Sequence, residues 1–208
     1  MASEMSSPGL DPESHDPLAP DIPIEEINRE TIELVGPHLR VLGEISLGKF
    51  HRLSDLINAN RGYVRLKDAQ LMRRNGDPTH LVVPELMVNP DEITFIGQRT
   101  ESLPSAPSGL VGGGDRPLLE RARRQFVVFT SGHILTGSIY AFAETDIADF
   151  VDAPYPRFVP MVAATARSLA DRRVISHFSF VLVNRTQMTA ASFLERAGRA
   201  VETGVAVE

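Results

Sequence analysis

The chain has 208 residues, a net charge of −6 at pH 7, and neither Cys nor Trp. The absence of cysteine excludes disulfides, thiolate metal sites and thiol catalysis. No apolar run approaches the ~18 residues of a membrane span. The N-terminus has neither the basic patch nor the apolar core of a secretion signal, so we expect a cytoplasmic protein with no membrane segment.

The acidity of the chain is concentrated in its first 28 residues, which carry seven carboxylates and no Lys or Arg. Five prolines lie there among serines and aspartates, and such a segment buries too little apolar surface to offset the entropy of ordering. We predict a disordered acidic tail over residues 1–28. The remainder is near neutral with mixed signs, which disfavours a general nucleic-acid binder.

Residues 29–100 are predicted to form five short strands around one short helix. Gly43 lies inside the second strand, where glycine is typical of a bulge or bend. Leu53, Leu56 and Ile57 have the i, i+3, i+4 spacing of a helical face. Short strands with glycine bends and tight turns favour a small barrel, because closing the sheet removes its edges.

The rest of the chain is predicted to repeat this unit. Residues 101–123, rich in Pro, Ser and Gly at their start, are expected to be a flexible linker. A second unit follows over residues 124–192. In the last segment, residues 193–208, the apolar residues Phe193, Leu194 and Ala197 share one side, which predicts a C-terminal helix and tail.

One pattern occurs twice in the chain, about 94 residues apart. Residues 32–58 align with residues 126–152 without a gap, and the register resumes after one inserted residue. This predicts a mainly β protein made of two tandem small barrels, each with one short helix, plus the C-terminal helix. Several polar residues and glycines keep their identity between the two units: Gly43 and Gly137, Asp55 and Asp149, Asn89 and Asn184.

The order of these features along the chain, from the strand glycine through the Asp and Asn to the closing hairpin, resembles that of Sm-like and SH3-like small barrels. The stretch 52–58, Arg-Leu-Ser-Asp-Leu-Ile-Asn, comes before a strand ending in Asp68 and Ala69. It resembles an uncharacterised bacterial family with Arg-Leu-Ser-Asp-apolar-apolar-Asn at that place. The resemblance implies the barrel fold and no known activity. The last hairpins carry Asn89-Pro90 and Asn184-Arg185 where RNA-binding Sm proteins have Arg-Gly, so Sm-type RNA binding is not implied.

The recurring carboxylates Asp55 and Asp149 admit two interpretations. They could bind a ligand or act in catalysis, or they could accept hydrogen bonds from loop amides and fix the short helix. A single carboxylate per unit, with no recurring His, Lys or Ser, is poorly equipped for acid–base chemistry. Asn89 and Asn184 have the position and type of turn residues.

The six histidines share no positions between the units and lack the spacing of metal ligands. We therefore predict no metal, no cofactor and no catalytic residue. A face formed by Tyr63, Arg65 and Lys67 alternates along a strand and could stack on and neutralise single-stranded nucleic acid.

The second unit is markedly more apolar, with seven of the ten Phe residues of the chain. Along residues 126–129 both faces of the strand are apolar, which indicates that both are covered. We predict a non-catalytic interaction or assembly module, with a protein partner or a second copy on this surface. The alternatives are RNA or single-stranded nucleic-acid binding, and a small-ligand sensor or enzyme using Asp55 and Asp149. The predicted interaction surface comprises Val127, Phe129, Phe158 and Val162.

Overall fold

The computed structural model describes residues 28–73, 77–99, 121–170 and 172–194. The predictions for the acidic tail up to residue 27, for the linker up to residue 120 and for residues 195–208 lie outside these ranges. The described residues form two halves, 28–99 and 121–194, and the elements of both halves follow one order.

The first half contains five strands, one α-helix and one short 3-10 turn. Its second and third strands alternate buried and more exposed side chains over part of their length, as expected of a sheet with one packed face. In chain order the elements are β1 (Arg29–Val35), β2 (Arg40–Ser46), α1 (Leu53–Ala59), β3 (Val64–Met72), β4 (Pro78–Val88), a 3-10 turn (Pro90–Glu92) and β5 (Phe95–Arg99).

The second half has the same succession. The strand predicted to begin after residue 123 begins at Arg121, inside the segment assigned to the linker. In chain order the elements are β6 (Arg121–Phe129), β7 (His133–Phe142), α2 (Ile147–Asp152), β8 (Phe158–Ser168), β9 (Val174–Asn184), a 3-10 turn (Arg185–Gln187) and β10 (Ala190–Phe193).

All ten strands belong to one antiparallel sheet, in the order β10-β6-β7-β8-β9-β5-β1-β2-β3-β4. The mainly β character and the single short helix in each half are confirmed, but the prediction of two small barrels is wrong because the sheet is open. The physical reason is the pairing of β5 with β9. An edge that closure within one half would have removed is instead covered by a strand of the other half.

The predicted C-terminal helix is also wrong where the structure describes its start. Phe193 ends strand β10, which pairs with β6 and places Phe193 opposite Phe126. The rings of Phe193 and Phe126 lie 5.5 Å apart, and the ring of Phe150 lies 5.9 Å from that of Phe193. Phe193, one of the residues that indicated a helical face, therefore belongs to an edge strand, and Leu194 follows directly after it.

Corresponding strand pairs have the same register in the two halves. Each second strand also has a register shift at its glycine, where β2 pairs with β3 and β7 with β8. The register shift confirms the bulge predicted at Gly43. A Cβ on Gly43 would lie 3.1 Å from the Lys67 carbonyl oxygen, so glycine is favoured at this close approach of two backbones. The matching pairs are Ile32–Gly43 with Phe126–Gly137, Val64–Val88 with Val159–Val183, and Val35–Phe95 with Phe129–Ala190.

Two apolar cores lie on the sheet, and they exchange side chains where the halves meet. Phe158 and Leu182, from the second half, are fully buried in the core of the first half. Phe95 and Val35, from the first half, are buried in the core of the second half. The β5–β9 pairing is therefore a packed interface between the halves, not a bare ladder of backbone hydrogen bonds.

Candidate functional site

The structure draws attention to two kinds of surface: the inner junction, where β5 pairs with β9, and the outer edges, formed by β4 and β10. At the inner junction Phe95 pairs with Val183 and Ile96 with Leu182. The ladder continues beyond the strand, since the backbone N–H of Asn184 donates to the Thr94 carbonyl at 2.9 Å.

Asn184 connects the two halves at one end of the inner junction. Its side chain is completely buried, and its Nδ2 donates to the carbonyl oxygens of Ile93 at 2.8 Å and Pro90 at 3.1 Å. Its Oδ1 accepts the backbone N–H of Thr186 at 3.2 Å, which caps the 3-10 turn. One side chain thus satisfies donors and acceptors that burial would otherwise leave unpaired.

Helix α1 holds the start of β8 through Asn58, the last residue of the Arg-Leu-Ser-Asp-Leu-Ile-Asn stretch. Asn58 Oδ1 accepts the backbone N–H of Phe158 at 2.8 Å, and Asn58 Nδ2 donates to the Phe158 carbonyl at 3.1 Å. This two-way bond fixes the Phe158 ring over the first core. The asparagine of the motif is therefore a contact between the halves.

A buried ionic network crosses the opposite end of the inner junction. Glu33 is fully buried and accepts hydrogen bonds from Arg40 at 2.5 Å and from Arg99 at 2.7 Å. Ser176 donates to Glu33 at 3.2 Å and accepts from Arg40 at 2.8 Å. The two guanidinium groups and the hydroxyl compensate a carboxylate that could not be buried alone.

The sequence pattern alone does not indicate this network. Glu33 stands between Ile32 and Leu34, which is the alternation of a half-exposed strand, and its partners lie 7, 66 and 143 residues away. A usable signal is the alignment of the two halves, because Val127 occupies the position of Glu33 in the second half. A carboxylate aligned with a valine is a candidate for a buried and partnered charge.

Two further titratable groups lie near the junction. Burial lowers the pKa of His133, the positive charge of Arg40 lowers it further, and Glu33 opposes both. The ring of His133 packs edge-on against Phe95 with centroids 5.4 Å apart. Burial raises the pKa of Glu30, against which the hydrogen bond from Gln98 acts.

The outer edge formed by β4 carries exposed apolar side chains. Leu81 is 54% exposed, Val82 53% and Met87 51%, and the neighbouring Tyr63 is 58% exposed. Tyr63, Met87 and Asn89 line a shallow depression of about 360 Å³. An edge strand with several exposed apolar side chains is a template for pairing with another strand.

The predicted nucleic-acid face is partly neutralised. Tyr63 and Arg65 are exposed, and Lys67 is half-buried. Arg65 forms a 2.8 Å ion pair with Glu85, which lies directly opposite Lys67 on β4. A strand with an acid facing its two bases offers little net charge to phosphates.

The recurring carboxylates do not converge on a common pocket in the described structure. Asp55 and Asp149 are exposed, each in the first turn of its own short helix. Asp55 accepts a hydrogen bond from Ser54 at 3.3 Å. A carboxylate in the first turn interacts favourably with the helix dipole, which is a structural role.

The predicted interaction surface of the second half lies largely inside the molecule. Val127 is buried, Phe158 is fully buried in the first core, and Phe129 and Val162 are half-buried. Much of the second cover that this apolar half needs is supplied by the first half of the same chain. Asn89, by contrast, is half-exposed and accepts the backbone N–H of Asp91 at 3.1 Å in a turn.

Within residues 28–73, 77–99, 121–170 and 172–194, no group of three or more His, Cys, Asp or Glu side chains could hold a metal ion. No helix in the same ranges is long and apolar enough to cross a membrane. Comparison with family models, with curated proteins and with solved structures finds no match to this chain.

Proposed function

We propose that the chain is a non-catalytic assembly module that binds protein, in the first place further copies of itself, through the outer edges of its sheet. The observation that carries this proposal is the row of exposed apolar side chains on and beside β4. Each of these side chains is about half exposed, so burying the rest gains about half of the 1.5–3 kcal/mol of a fully exposed one. Together with strand pairing along the edge, this gain favours association against its entropic cost.

The fold supports the same proposal. We infer that the two halves are copies of one unit, since their elements, pairing register and glycine bulges correspond. At the inner junction one copy binds the other through strand pairing and side-chain exchange between cores. A unit that pairs with its copy inside one chain can use the same strand pairing with a unit of a second chain.

The alternatives from the sequence gain less support. The ion pair of Arg65 with Glu85 diminishes the basic face expected for single-stranded nucleic acid. The exposure of Asp55 and Asp149, each on its own helix, does not favour a shared ligand or catalytic site. Salt-dependent binding of a random single-stranded RNA would revive the first alternative.

Light scattering over a range of concentrations tests the proposal. We expect a mass above the monomer value of 22.8 kDa, and we expect Met87→Glu to return the chain to a monomer because a charge would be desolvated at the contact. Tyr140→Glu is the matched control, since Tyr140 is 47% exposed but lies on an inner strand. A wild-type chain that stays monomeric at high concentration contradicts the proposal.

A further inference from the structure

We infer that copies of the chain associate head to tail, with β4 of one chain pairing with β10 of the next and repeating the inner junction between molecules. The inference rests on the proposed function and gives it a specific geometry. It follows from the correspondence of the halves: β4 is the counterpart of β9, and β10 is the counterpart of β5. Strands β5 and β9 pair with each other inside the chain, whereas β4 and β10 lie at opposite edges of the sheet.

The exposed side chains beside β4 are the counterparts of side chains that the inner junction buries. Phe158 and Leu182 insert into the core of the first half and are fully buried there. In the register of the two halves they correspond to Tyr63 and Met87, which are more than half exposed. The repeated junction would bury both in the second core of the neighbouring chain.

The receiving surface on the second half is correspondingly open. In the first half Leu53 and Ile57 of α1 are buried at 2% and 3% exposure. Their counterparts in α2, Ile147 and Val151, are half-buried, and α2 has no buried residue. The helix positions that are fully covered in the first half are therefore only partly covered in the second half, where no described strand follows β10.

Asn89 has hydrogen-bonding capacity that the repeated junction would use. Its counterpart Asn184 donates Nδ2 to two carbonyl oxygens across the inner junction. Within the described part of the chain, the amide nitrogen of Asn89 donates no hydrogen bond, although its Oδ1 caps the turn in the same way. In the neighbouring chain the counterparts of the two acceptors are the carbonyls of Arg185 and Met188.

The polar network of the inner junction has apolar counterparts at the outer edges, and these match one another. Leu81 and Leu194 are 54% and 47% exposed, one at each edge. Pairing of the edges would bring them together over residues of β6 and β7 and bury them in an apolar contact. In the alignment of the two halves, Glu33, Arg40, Arg99 and Ser176 correspond to Val127, Ile134, Leu194 and Leu81, and the strand ladders agree for the first two pairs.

Side-chain size is matched in the same way. At the inner junction Gly97 leaves room for the ring of Phe178, since a Cβ on Gly97 would lie 2.3 Å from that ring. At the outer edges the counterparts are Ser192 and Val83, so the larger residue on β10 meets the smaller one on β4. Strand β5 therefore fits β9 better than it fits β4, and β10 fits β4 better than it fits β9.

The contact is heterologous, because each chain contributes one edge of each kind. Such a contact propagates from chain to chain and ends in a ring if the rotation closes or in a filament if it does not. The inner register predicts the outer one: Ala190 opposite Val88, Ala191 opposite Met87, and Ser192 opposite Leu86.

Disulfide trapping tests this register, and the absence of cysteine in the chain makes every introduced thiol unambiguous. Met87→Cys and Ala191→Cys are made as separate full-length variants, each oxidised alone and then together. We expect a crosslinked dimer in the mixture and little in either variant alone. Leu81→Cys mixed with Ala191→Cys is the control, because six residues along a strand displace the thiol by about 20 Å, beyond the reach of a disulfide.

The outcomes separate this inference from the proposed function. An oligomer in which Met87→Cys crosslinks to itself would show symmetric pairing of β4 with β4, and an oligomer that traps neither pair would show another surface. Either result overturns the head-to-tail geometry and leaves an assembly module. A chain that stays monomeric overturns both.

Asn89→Asp provides a second measurement that does not depend on the thiols. The substitution keeps the oxygen that caps the turn and removes the donor, so the folded chain should persist. We expect association to weaken about tenfold or more, because carbonyl groups of the neighbour lose their partner. Unchanged association would contradict the role given to Asn89 and, with it, the repetition of the inner junction.

Discussion

The inner junction and the outer edges have the same backbone pattern and opposite side-chain chemistry. Both involve a short final strand and a long penultimate strand of a five-stranded unit. The inner junction combines apolar side chains with a buried ionic network around Glu33. The corresponding positions hold Val127 on β6, Ile134 on β7, and Leu81 and Leu194 at the two outer edges. The backbone thus provides a common way of pairing, and the side chains decide which strands pair.

This division follows from the energetics of buried charge. A buried ion pair adds little net stability compared with apolar residues of similar volume, but removing one member is costly. An ionic junction therefore tolerates only its own set of partners. The apolar side chains of the outer edges gain free energy on burial against any apolar partner. They pair poorly with a strand of the ionic network, because that pairing would leave a buried charge without its partner. All stability measurements below are best made in the Met87→Glu background, in which association is expected to be absent.

Removing the carboxylate of the inner junction should give the largest effect. Glu33→Val introduces the residue found in the second half and leaves Arg40 and Arg99 without their buried partner. We expect the free energy of unfolding to fall by about 3–5 kcal/mol, measured by urea denaturation. The matched control replaces the whole network with its outer counterparts, Glu33→Val, Arg40→Ile, Arg99→Leu and Ser176→Leu, and should recover most of the loss. A single variant that costs little would contradict the buried network.

The next largest effect should be a difference in folding stability between variants of Asn184 and Asn89. Asn184→Ala leaves the carbonyls of Ile93 and Pro90 and the N–H of Thr186 without a partner in a buried place, which should cost about 3 kcal/mol. Asn89→Ala removes only the cap of an exposed turn in the single chain and should cost about 1 kcal/mol. Denaturant midpoints of the two variants measure the difference. Equal losses would mean that the inner junction depends less on Asn184 than its hydrogen bonds indicate.

Much of the local structure was predictable because it depends on near neighbours in sequence. The bulge at Gly43 has a steric cause that the sequence already indicates, and the apolar spacing around Leu53 shows the short helix. The alignment of the two halves also predicts corresponding registers. These features need only local chemistry and the alignment of the two halves.

The pairing of the halves was not predictable in the same way. A strand edge can be removed by closure within a unit or by a strand of another unit, and both satisfy the same backbone groups. Only the structure shows that β5 pairs with β9. The four residues of β10 are too few for periodicity to separate a strand from a helix, so Phe193 and Leu194 were assigned to a helix. The candidate surface on β4 could not be predicted because it is recognised by comparing burial between the halves. Tyr63 and Met87 are exposed, whereas the corresponding residues Phe158 and Leu182 are fully buried.

Side-chain size gives a smaller effect than the asparagines. Gly97→Ala would place a methyl group 2.3 Å from the buried ring of Phe178, so the ring or the strand must move. We expect a loss of about 2 kcal/mol in the free energy of unfolding. Ser192→Ala, at the corresponding position of the exposed strand β10, should change stability by less than about 0.5 kcal/mol. If both variants are neutral, the small residue at Gly97 is not what admits Phe178.

The smallest effect should be a shallow loss of stability on acidification, caused by His133. Because burial and Arg40 lower the pKa of His133 in the folded chain, the unfolded chain binds a proton more readily below the ordinary histidine pKa of about 6.5. Stability is therefore complete above that value, falls as the pH drops below it, and levels off below the folded pKa. Leu39 occupies the corresponding position of the first half, so His133→Leu is the matched variant and should flatten this part of the profile. Urea denaturation at several values between about pH 8 and pH 5.5 measures the slope. An unchanged slope would mean that another group causes the pH dependence and that His133 has no part in the electrostatics of the inner junction. Loss of the slope, together with the Glu33→Val result, would show that protonation of His133 destabilises the ionic end of the junction.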